Sequence, residues 1–379
     1  MAGRRANNEG SIYRRKSDGR WCATVLVGYN SAGRPIRKTL TAKTRQEAAQ
    51  RLRSMQRIQE DGSPIPDATM TVAGLIERWS TDILPNQLAR RGADNYRSVA
   101  RNHILPTLGR LKLQSLSVAD VDRLLAQKVA DGYSVSTVKR IRSVLAQALD
   151  QGMRWGAVSW NVASLSRAPR GARKEGRTLT PEQARLLLDC LKDHRLRALY
   201  ALMLSVGLRK GEALGLRWED LDERTQVLRC TRQLQWEDGK LITQDTKTPK
   251  SRRSLNLPAQ LMAELRAHKA RQAAERLALG EAWVDSGYMF TTQIGTPIDG
   301  RNLLRDFKKI TQAAGLGDWT IHELRHSSAS LMLAQGVPLQ VVSEVLGHAS
   351  IRMTADVYGH ILEPDRAAAA EAMGNALWG

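Results

Sequence analysis

From Ser11 the chain alternates apolar and polar positions in short runs. Ser11–Arg15 and Pro35–Thr41 flank Trp21–Tyr29, a run rich in Val, Thr and aromatic residues. Ser17-Asp18-Gly19 and Asn30-Ser31-Ala32-Gly33 separate them, so period-two patterning between turn residues predicts three strands. Thr44 with Glu47 three residues later is a capping-box pattern and predicts a helix to about Gln59. Residues 1–10 are polar and read as a mobile basic arm. After Asp61-Gly62-Ser63-Pro64-Ile65-Pro66, a linker by composition, the period changes to that of helices. Thr71 caps a run with Val72, Leu75, Ile76, Trp79 and Ile83 on one face, and Ser117 caps one with Val118, Val121, Leu124 and Leu125. Between them a helix is predicted around Asp94–His103, ending before Leu105-Pro106; a longer one, Ser136–Gln151, carries Val138, Ile141, Leu145 and Leu149.

The second half opens with a basic hinge, Ser166–Arg177. Thr180-Pro181-x-Gln183 supplies a cap, a proline at the first helical position and a glutamine at the third. Leu196–Val206 is strongly apolar, which suits the centre of a core, and Gly207 ends it. Arg209 then stands at a helix-to-helix junction with Glu212 one turn on, placed to hold it. Val227–Trp236, Lys240–Asp245 and Arg252–Pro258 read as a three-stranded antiparallel ribbon with Lys247 at its second turn. Helices follow to about Ala282, over Arg301–Ala314 and in the tail Pro364–Trp378, where Met373, Leu377 and Trp378 are apolar. The fold class expected is multidomain, mainly α with small β-sheets. It comprises a three-stranded sheet plus helix (1–62), a helical domain (67–165) and a mixed α/β domain (175–379).

Charge changes this picture most. The 379 residues carry 58 Lys+Arg against 38 Asp+Glu, net +20, which points to a polyanion partner. Residues 1–62 hold 14 basic and 5 acidic side chains, 63–174 hold 17 and 8, and 175–379 hold 27 and 25. Net charges of +9, +9 and +2 put the grip on phosphate in the front half. A two-stranded ribbon fits a major groove, so Arg14, Arg15, Arg20, Arg34, Arg37 and Lys38 are candidate contacts to nucleic acid. Arg97, Arg101, Lys139, Arg140 and Arg142 on the polar sides of the helices are others. No apolar run approaches the roughly 18 residues of a membrane span and no signal-peptide pattern opens the chain, so no membrane partner is expected. Cys22, Cys190 and Cys230 are odd in number and far apart, without metal-ligand or disulfide spacing, as in a reduced, cytoplasmic protein.

The candidate chemistry lies in Thr320–His360, which holds four of the seven histidines: His322, His326, His348 and His360. His322, Arg325 and His326 stand at i, i+3 and i+4 on one helix face, where imidazole and guanidinium donors suit an anion such as phosphate. Leu346-Gly347-His348 makes a tight turn, and Tyr358 follows ten residues later.

His322-x-x-Arg325, Leu346-Gly347-His348 and Tyr358 resemble the C-terminal signature of the tyrosine recombinases, the phage-integrase family. The earlier Gly207-Leu208-Arg209-Lys210-Gly211-Glu212 and Thr246-Lys247-Thr248 resemble that family's first arginine box and its hairpin lysine, in matching order and spacing. The resemblance covers most of the chain and is most specific over 205–360. It implies an arm-type DNA-binding domain over 1–62, a core-binding domain over 67–165 and a catalytic domain over 175–379.

The chemistry implied is cleavage and rejoining of DNA at attachment sites, with Tyr358 as nucleophile and a 3′-phosphotyrosyl intermediate, without nucleotide or other cofactor. Arg209 and Arg325 would clamp the non-bridging oxygens, Lys247 would protonate the leaving 5′-oxygen, His322 would assist deprotonation of Tyr358, and His348 would hydrogen-bond the phosphate; Glu212 supports Arg209. His326 and His360 read as structural. Partners implied are duplex DNA, three further copies in a homotetramer on synapsed DNA, a host DNA-bending protein and an excision factor, with the tail docking in cis or on a neighbouring protomer. In a bacterial host this places the protein at the nucleoid. A type IB topoisomerase shares the chemistry but not the arm-like module. A metal-dependent nuclease needs carboxylates beside the histidines, and Glu323 is the only acid in Thr320–Val342. A DNA-binding regulator without catalysis fits the charge but has no use for six catalytic positions.

Overall fold

The computed structural model describes residues 10–29, 33–60, 69–169, 171, 176–237, 240–245, 252–348, 350–358 and 365–378. The chain divides into two compact units, Met1–Ala172 and Arg173–Gly379.

In the first unit, β1 (Ser11–Arg14), β2 (Trp21–Tyr29) and β3 (Pro35–Ala42) form an antiparallel sheet in that order. Ala23, Val25 and Ala42 of one sheet face bury against Ala48, Leu52 and Met55 of α1 (Arg45–Glu60), a small core of its own. Thr44 Oγ1 accepts from the Glu47 amide at 3.2 Å, while Glu47 reaches back to the Lys43 amide at 3.1 Å rather than to that of Thr44.

A second core belongs to the helices α2 (Val72–Asp82), α3 (Leu84–Gln87), α4 (Arg90–Val99), α5 (Leu105–Leu108), α6 (Val118–Ala130), α7 (Val135–Arg154) and α8 (Val162–Leu165). The periodic residues Leu75, Trp79, Val121, Leu124, Ile141, Leu145 and Leu149 all lie in it. Ser117 caps α6 as its sequence requires, with the Asp120 amide donating to Ser117 Oγ. One expectation fails. The helix that starts at Arg90 does not end before Leu105-Pro106 but passes through a π-helical turn, Ala100–Ile104, directly into α5. The proline falls in the first turn of α5, directly after the π-helical turn.

The second unit is built around α10 (Arg197–Val206), following α9 (Pro181–Cys190). Ala198–Leu204 and Val206 are buried, and α10 packs against α12 (Ala259–Leu279) and α14 (Ile321–Ala334). After α11 (Lys210–Gly215) come β4 (Leu221–Asp222), β5 (Val227–Cys230), β6 (Arg232–Glu237), β7 (Lys240–Asp245) and β8 (Arg253–Asn256). The three-stranded ribbon expected here is two separate sheets: β4-β5-β8 and the hairpin β6-β7. Leu228 and Cys230 are buried in the core and β5 pairs with β8, Cys230 opposite Arg253, so the chain leaves the first sheet at Thr231 and starts the hairpin afresh. The remaining helices are α13 (Gly300–Ala313), α15 (Leu339–Leu346), α16 (Ile351–Tyr358) and α17 (Asp365–Trp378). On α17, Met373, Leu377 and Trp378 are exposed. No described helix is long and apolar enough to cross a membrane.

Candidate active site

Two arginines meet at the turn that ends α10. Gly207 caps that helix in the left-handed conformation (φ 62°), and a Cβ there would stand 2.4 Å from Leu346 Cδ2, so both the backbone and the packing require glycine. Its carbonyl accepts from Arg325 Nη1 at 2.7 Å, which fixes a guanidinium that is 3 % exposed. Two residues on, Arg209 caps α11, with Glu212 Oε2 accepting from its amide at 3.0 Å and Glu212 Oε1 from its Nη1 at 2.8 Å. The expected Arg209–Glu212 pair is therefore present, and Arg209 Nη2 donates to the Gly347 carbonyl at 3.2 Å. Burial pushes the Glu212 carboxyl up, but Arg253 and Arg209 outweigh it and the net direction is down.

Helix α14 brings the histidines. Glu323 accepts from the Thr320 amide at 2.6 Å and pairs with Arg177, while Ser327 Oγ accepts from the Leu179 amide at 2.9 Å. These contacts lock the helix so that Arg325 points inward and His322 outward. The His322 and His326 rings meet edge to face, centroids 4.9 Å apart. His322 shows an exposed edge, yet the protein crowding its ring lowers its pKa, and the neighbouring His326, Arg325 and Arg209 lower it further. His348 is half-buried, and its Nδ1 lies 2.8 Å from Thr354 Oγ1. Burial, then the charges of Arg325, Arg209 and Arg253, bring its pKa down to about 4, so near neutral pH the ring is uncharged. A neutral imidazole with one nitrogen on a hydroxyl keeps the other for a ligand.

Arg209 from the α10–α11 junction, Arg325 from the N-terminal half of α14 and His348 from the turn after α15 thus come together, although 116 positions separate the two arginines in sequence. Tyr358 is the last residue of α16, and its side chain lies outside what is described. Lys247 and His360 lie outside the described residues.

Residues 177–364 match the family model described as the phage integrase family. The chain is 33 % identical to an integrase of Streptomyces ambofaciens over 96 % of its own length and 95 % of that protein's. It belongs to the phage integrase family. It is 30 % identical to a XerC-like tyrosine recombinase of Caldanaerobacter subterraneus, covering 92 % of this chain and 94 % of that one. Its fold matches that of the Tn1549 transposon integrase in complex with transposon right end DNA (TM-score 0.67, 19 % identity, 82 % of this chain and 100 % of that one). It also matches a lambda integrase tetramer bound to a Holliday junction (TM-score 0.59, 19 % identity, 93 % and 96 %). As a tyrosine recombinase the protein is a site-specific DNA recombinase, an enzyme of a family that cuts and rejoins strands through a 3′-phosphotyrosyl link.

The recombinase places its other basic candidates unequally. Arg14 donates to the Gly19 carbonyl at 2.9 Å, Arg15 pairs with Asp18, and Arg20 lies 3.9 Å from the same carboxylate, all at one turn. Arg34 and Arg37 are exposed, whereas Lys38 shares the strand parity of Leu40 and Ala42, the face that packs on α1. Arg97 bonds Asp94 and the Ser80 carbonyl, and Arg142 bonds the Ser164 and Ser166 carbonyls, so both tie helices together. Arg101 and Lys139 are exposed, and Arg140 lies over the Tyr96 ring, 5.7 Å from its centroid.

Two site residues escaped the sequence reading. Thr354, which holds His348, stands four positions before Tyr358, one helical turn away. Arg253 pairs with Glu212. It shares the strand parity of the buried Leu255 and Leu257, and a charge at an inward strand position was the signal available.

Proposed function

We propose that this recombinase integrates a phage or integrative element by strand exchange at attachment sites, with Tyr358 attacking the scissile phosphodiester. The carrying observation is that the turns at Gly207 and Gly347 hold Arg209 and Arg325 close enough to His348 for both charges to keep its ring neutral. Arg209 and Arg325 neutralise the non-bridging oxygens as charge builds in the transition state, and His348 adds a hydrogen bond. The depressed pKa of His322 leaves it unprotonated near pH 7, the form that accepts a proton from the tyrosine. Lys247 donates the proton to the departing 5′-oxygen. The covalent link conserves the phosphodiester's energy, so no nucleotide is needed.

Residues 1–62 serve as the arm-binding domain, 67–165 as the core-binding domain and 175–379 as the catalytic domain. Arg34, Arg37, Arg101, Lys139 and Arg140 are the better DNA contacts because their side chains are exposed, whereas Arg97 and Arg142 tie helices together. Four copies act on two synapsed sites, the exposed apolar end of α17 meeting a neighbouring protomer. A host DNA-bending protein and an excision factor set direction, and the reaction takes place on the nucleoid in the cytoplasm.

The test is a denaturing gel of protein on a nicked attachment-core duplex, in excess EDTA and without nucleotide. The wild type is expected to give a covalent adduct, and Tyr358→Phe to bind the duplex normally and give none. Full adduct with the Phe variant removes the nucleophile assignment, and an absolute Mg²⁺ requirement revives the nuclease reading.

A further inference from the structure

Glu212 is 2 % exposed and holds not one guanidinium but two. Opposite Arg209, its Oε2 accepts from Arg253 Nη2 at 2.9 Å, and the Arg253 side chain is 7 % exposed. Arg253 comes from β8, far from the first arginine box in sequence. It also donates from Nε to the Val345 carbonyl at 2.6 Å, and its Nη1 lies 3.7 Å from Cys230 Sγ. Val345 is in the last turn of α15, just before the Leu346-Gly347-His348 turn. Gly347 itself has φ 65°, and a Cβ on it would stand 2.8 Å from Arg253 Nη1, so the turn closes directly over this guanidinium. The circuit completes through Arg209, whose Nη2 reaches the Gly347 carbonyl.

We propose that Arg253 is a positioning residue for strand cleavage. By bridging buried Glu212 and the end of α15 it aims the Arg209 guanidinium and sets the turn that presents His348. It touches no reacting atom. Two features separate this role from ordinary packing. A buried carboxylate shared by two guanidiniums leaves Arg209 free to spend its remaining donors outward, since Glu212 does not depend on Arg209 alone for neutralisation. The fork of Arg253 also spans two elements that carry different parts of the site, so its loss displaces Arg209 and His348 together.

The proposal rests on the assignment of Arg209 to a non-bridging oxygen, and the experiment separates the two. Cleavage is measured on two nicked attachment-core duplexes, one with an ordinary phosphodiester and one with a methylphosphonate at the scissile position. A neutral methyl in place of a charged oxygen reduces the need for a guanidinium there. Arg209→Ala is expected to lose much less on the methylphosphonate than on the phosphodiester. Arg253→Met is expected to behave likewise, with a loss of about 100-fold on the phosphodiester, the scale of a misplaced catalytic group, shrinking at least about tenfold on the methylphosphonate. The ratio of the two rates does not depend on how much of the variant is folded. If Arg253→Met yields no folded protein, Arg253→Lys replaces it, since lysine keeps a charge on Glu212 but cannot hold Val345 with the same fork. Equal losses on both duplexes for the Arg253 variant, with relief for Arg209→Ala, overturn the positioning role alone. No relief for either variant overturns the role of Arg209, and this proposal with it.

Discussion

Gly215 in α11 lies so close to Leu234 in β6 that a Cβ on it would stand 2.9 Å from the Leu234 backbone nitrogen. Gly211, one turn earlier, is nearly as tight, at 3.0 Å from the Leu234 carbonyl oxygen. The helix that Arg209 caps is therefore seated backbone-to-backbone on the hairpin whose second strand leads toward Lys247. Arg301, over the Trp236 ring at 4.7 Å, holds the hairpin from α13.

Gly215→Ala has no flexible side chain to push aside, so the hairpin must shift. Overpacking of this kind costs about 1–3 kcal/mol. The expected outcome is a lower Tm together with a cleavage rate reduced more than DNA affinity, because the hairpin leads to the proposed acid Lys247 and holds little of the positive charge. Thermal unfolding and single-turnover cleavage check it. Unchanged values for both would mean that the hairpin has room the structure does not show.

His348 should titrate far below an ordinary histidine. Burial and the Arg325, Arg209 and Arg253 charges bring it to about 4, so the unfolded chain takes up a proton between about pH 6.5 and 4 that the native site refuses. Stability from this group is present above that window and falls as pH drops through it. Ring signals in a pH titration by NMR are the measurement, and a midpoint near 6.5 contradicts the buried, cation-flanked site. Thr354→Val leaves Nδ1 without its hydroxyl, and a lost hydrogen bond of about 1 kcal/mol corresponds to cleavage slowed about fivefold to tenfold.

Much of this architecture was legible because caps and periodicity act locally. Ser117 and Thr180 bond the amides their spacing predicts, and the Arg209–Glu212 pair follows from a three-residue offset at a helix start. The misreadings share one cause, tertiary partners. Val227–Trp236 keeps one period throughout, and nothing local marks Thr231 as the place where the chain changes sheets. That boundary is set by β8, which arrives more than 20 residues later. Pro106 predicts a stop, but the π-helical turn just before it carries the helix through. Arg253 carries no local mark of its role because its carboxylate partner is 41 positions away.

Deleting residues 1–62 removes the small core of Ala23, Val25, Ala42, Ala48, Leu52 and Met55 without touching the helical core, so the rest should stay folded. It also removes +9 of the +20 net charge. Binding to the core crossover site is expected to persist with a shallower salt dependence, while protection of distal arm sites disappears and integration fails. Footprinting at two salt concentrations is the test. Distal protection by the truncated protein would assign this module another role.

The proposed acid Lys247 can be tested through its leaving group. A general acid matters in proportion to how poor the leaving group is. The 5′-oxygen leaves as a strongly basic alkoxide unless it is protonated, whereas a bridging 5′-sulfur leaves readily as a thiolate. Lys247→Ala is expected to cleave ordinary DNA very slowly and to recover much of its rate when sulfur replaces the bridging 5′-oxygen. Arg209→Ala and Arg325→Ala should recover little on that substrate, because their proposed partners are the non-bridging oxygens. Gly215→Ala provides an internal control. If it slows cleavage by displacing the hairpin, part of its loss should also be relieved by the sulfur, which a general loss of folding would not produce. Should Lys247→Ala be equally slow on both substrates, the proton comes from elsewhere in the same basic turn, and Lys250 is the next residue to replace.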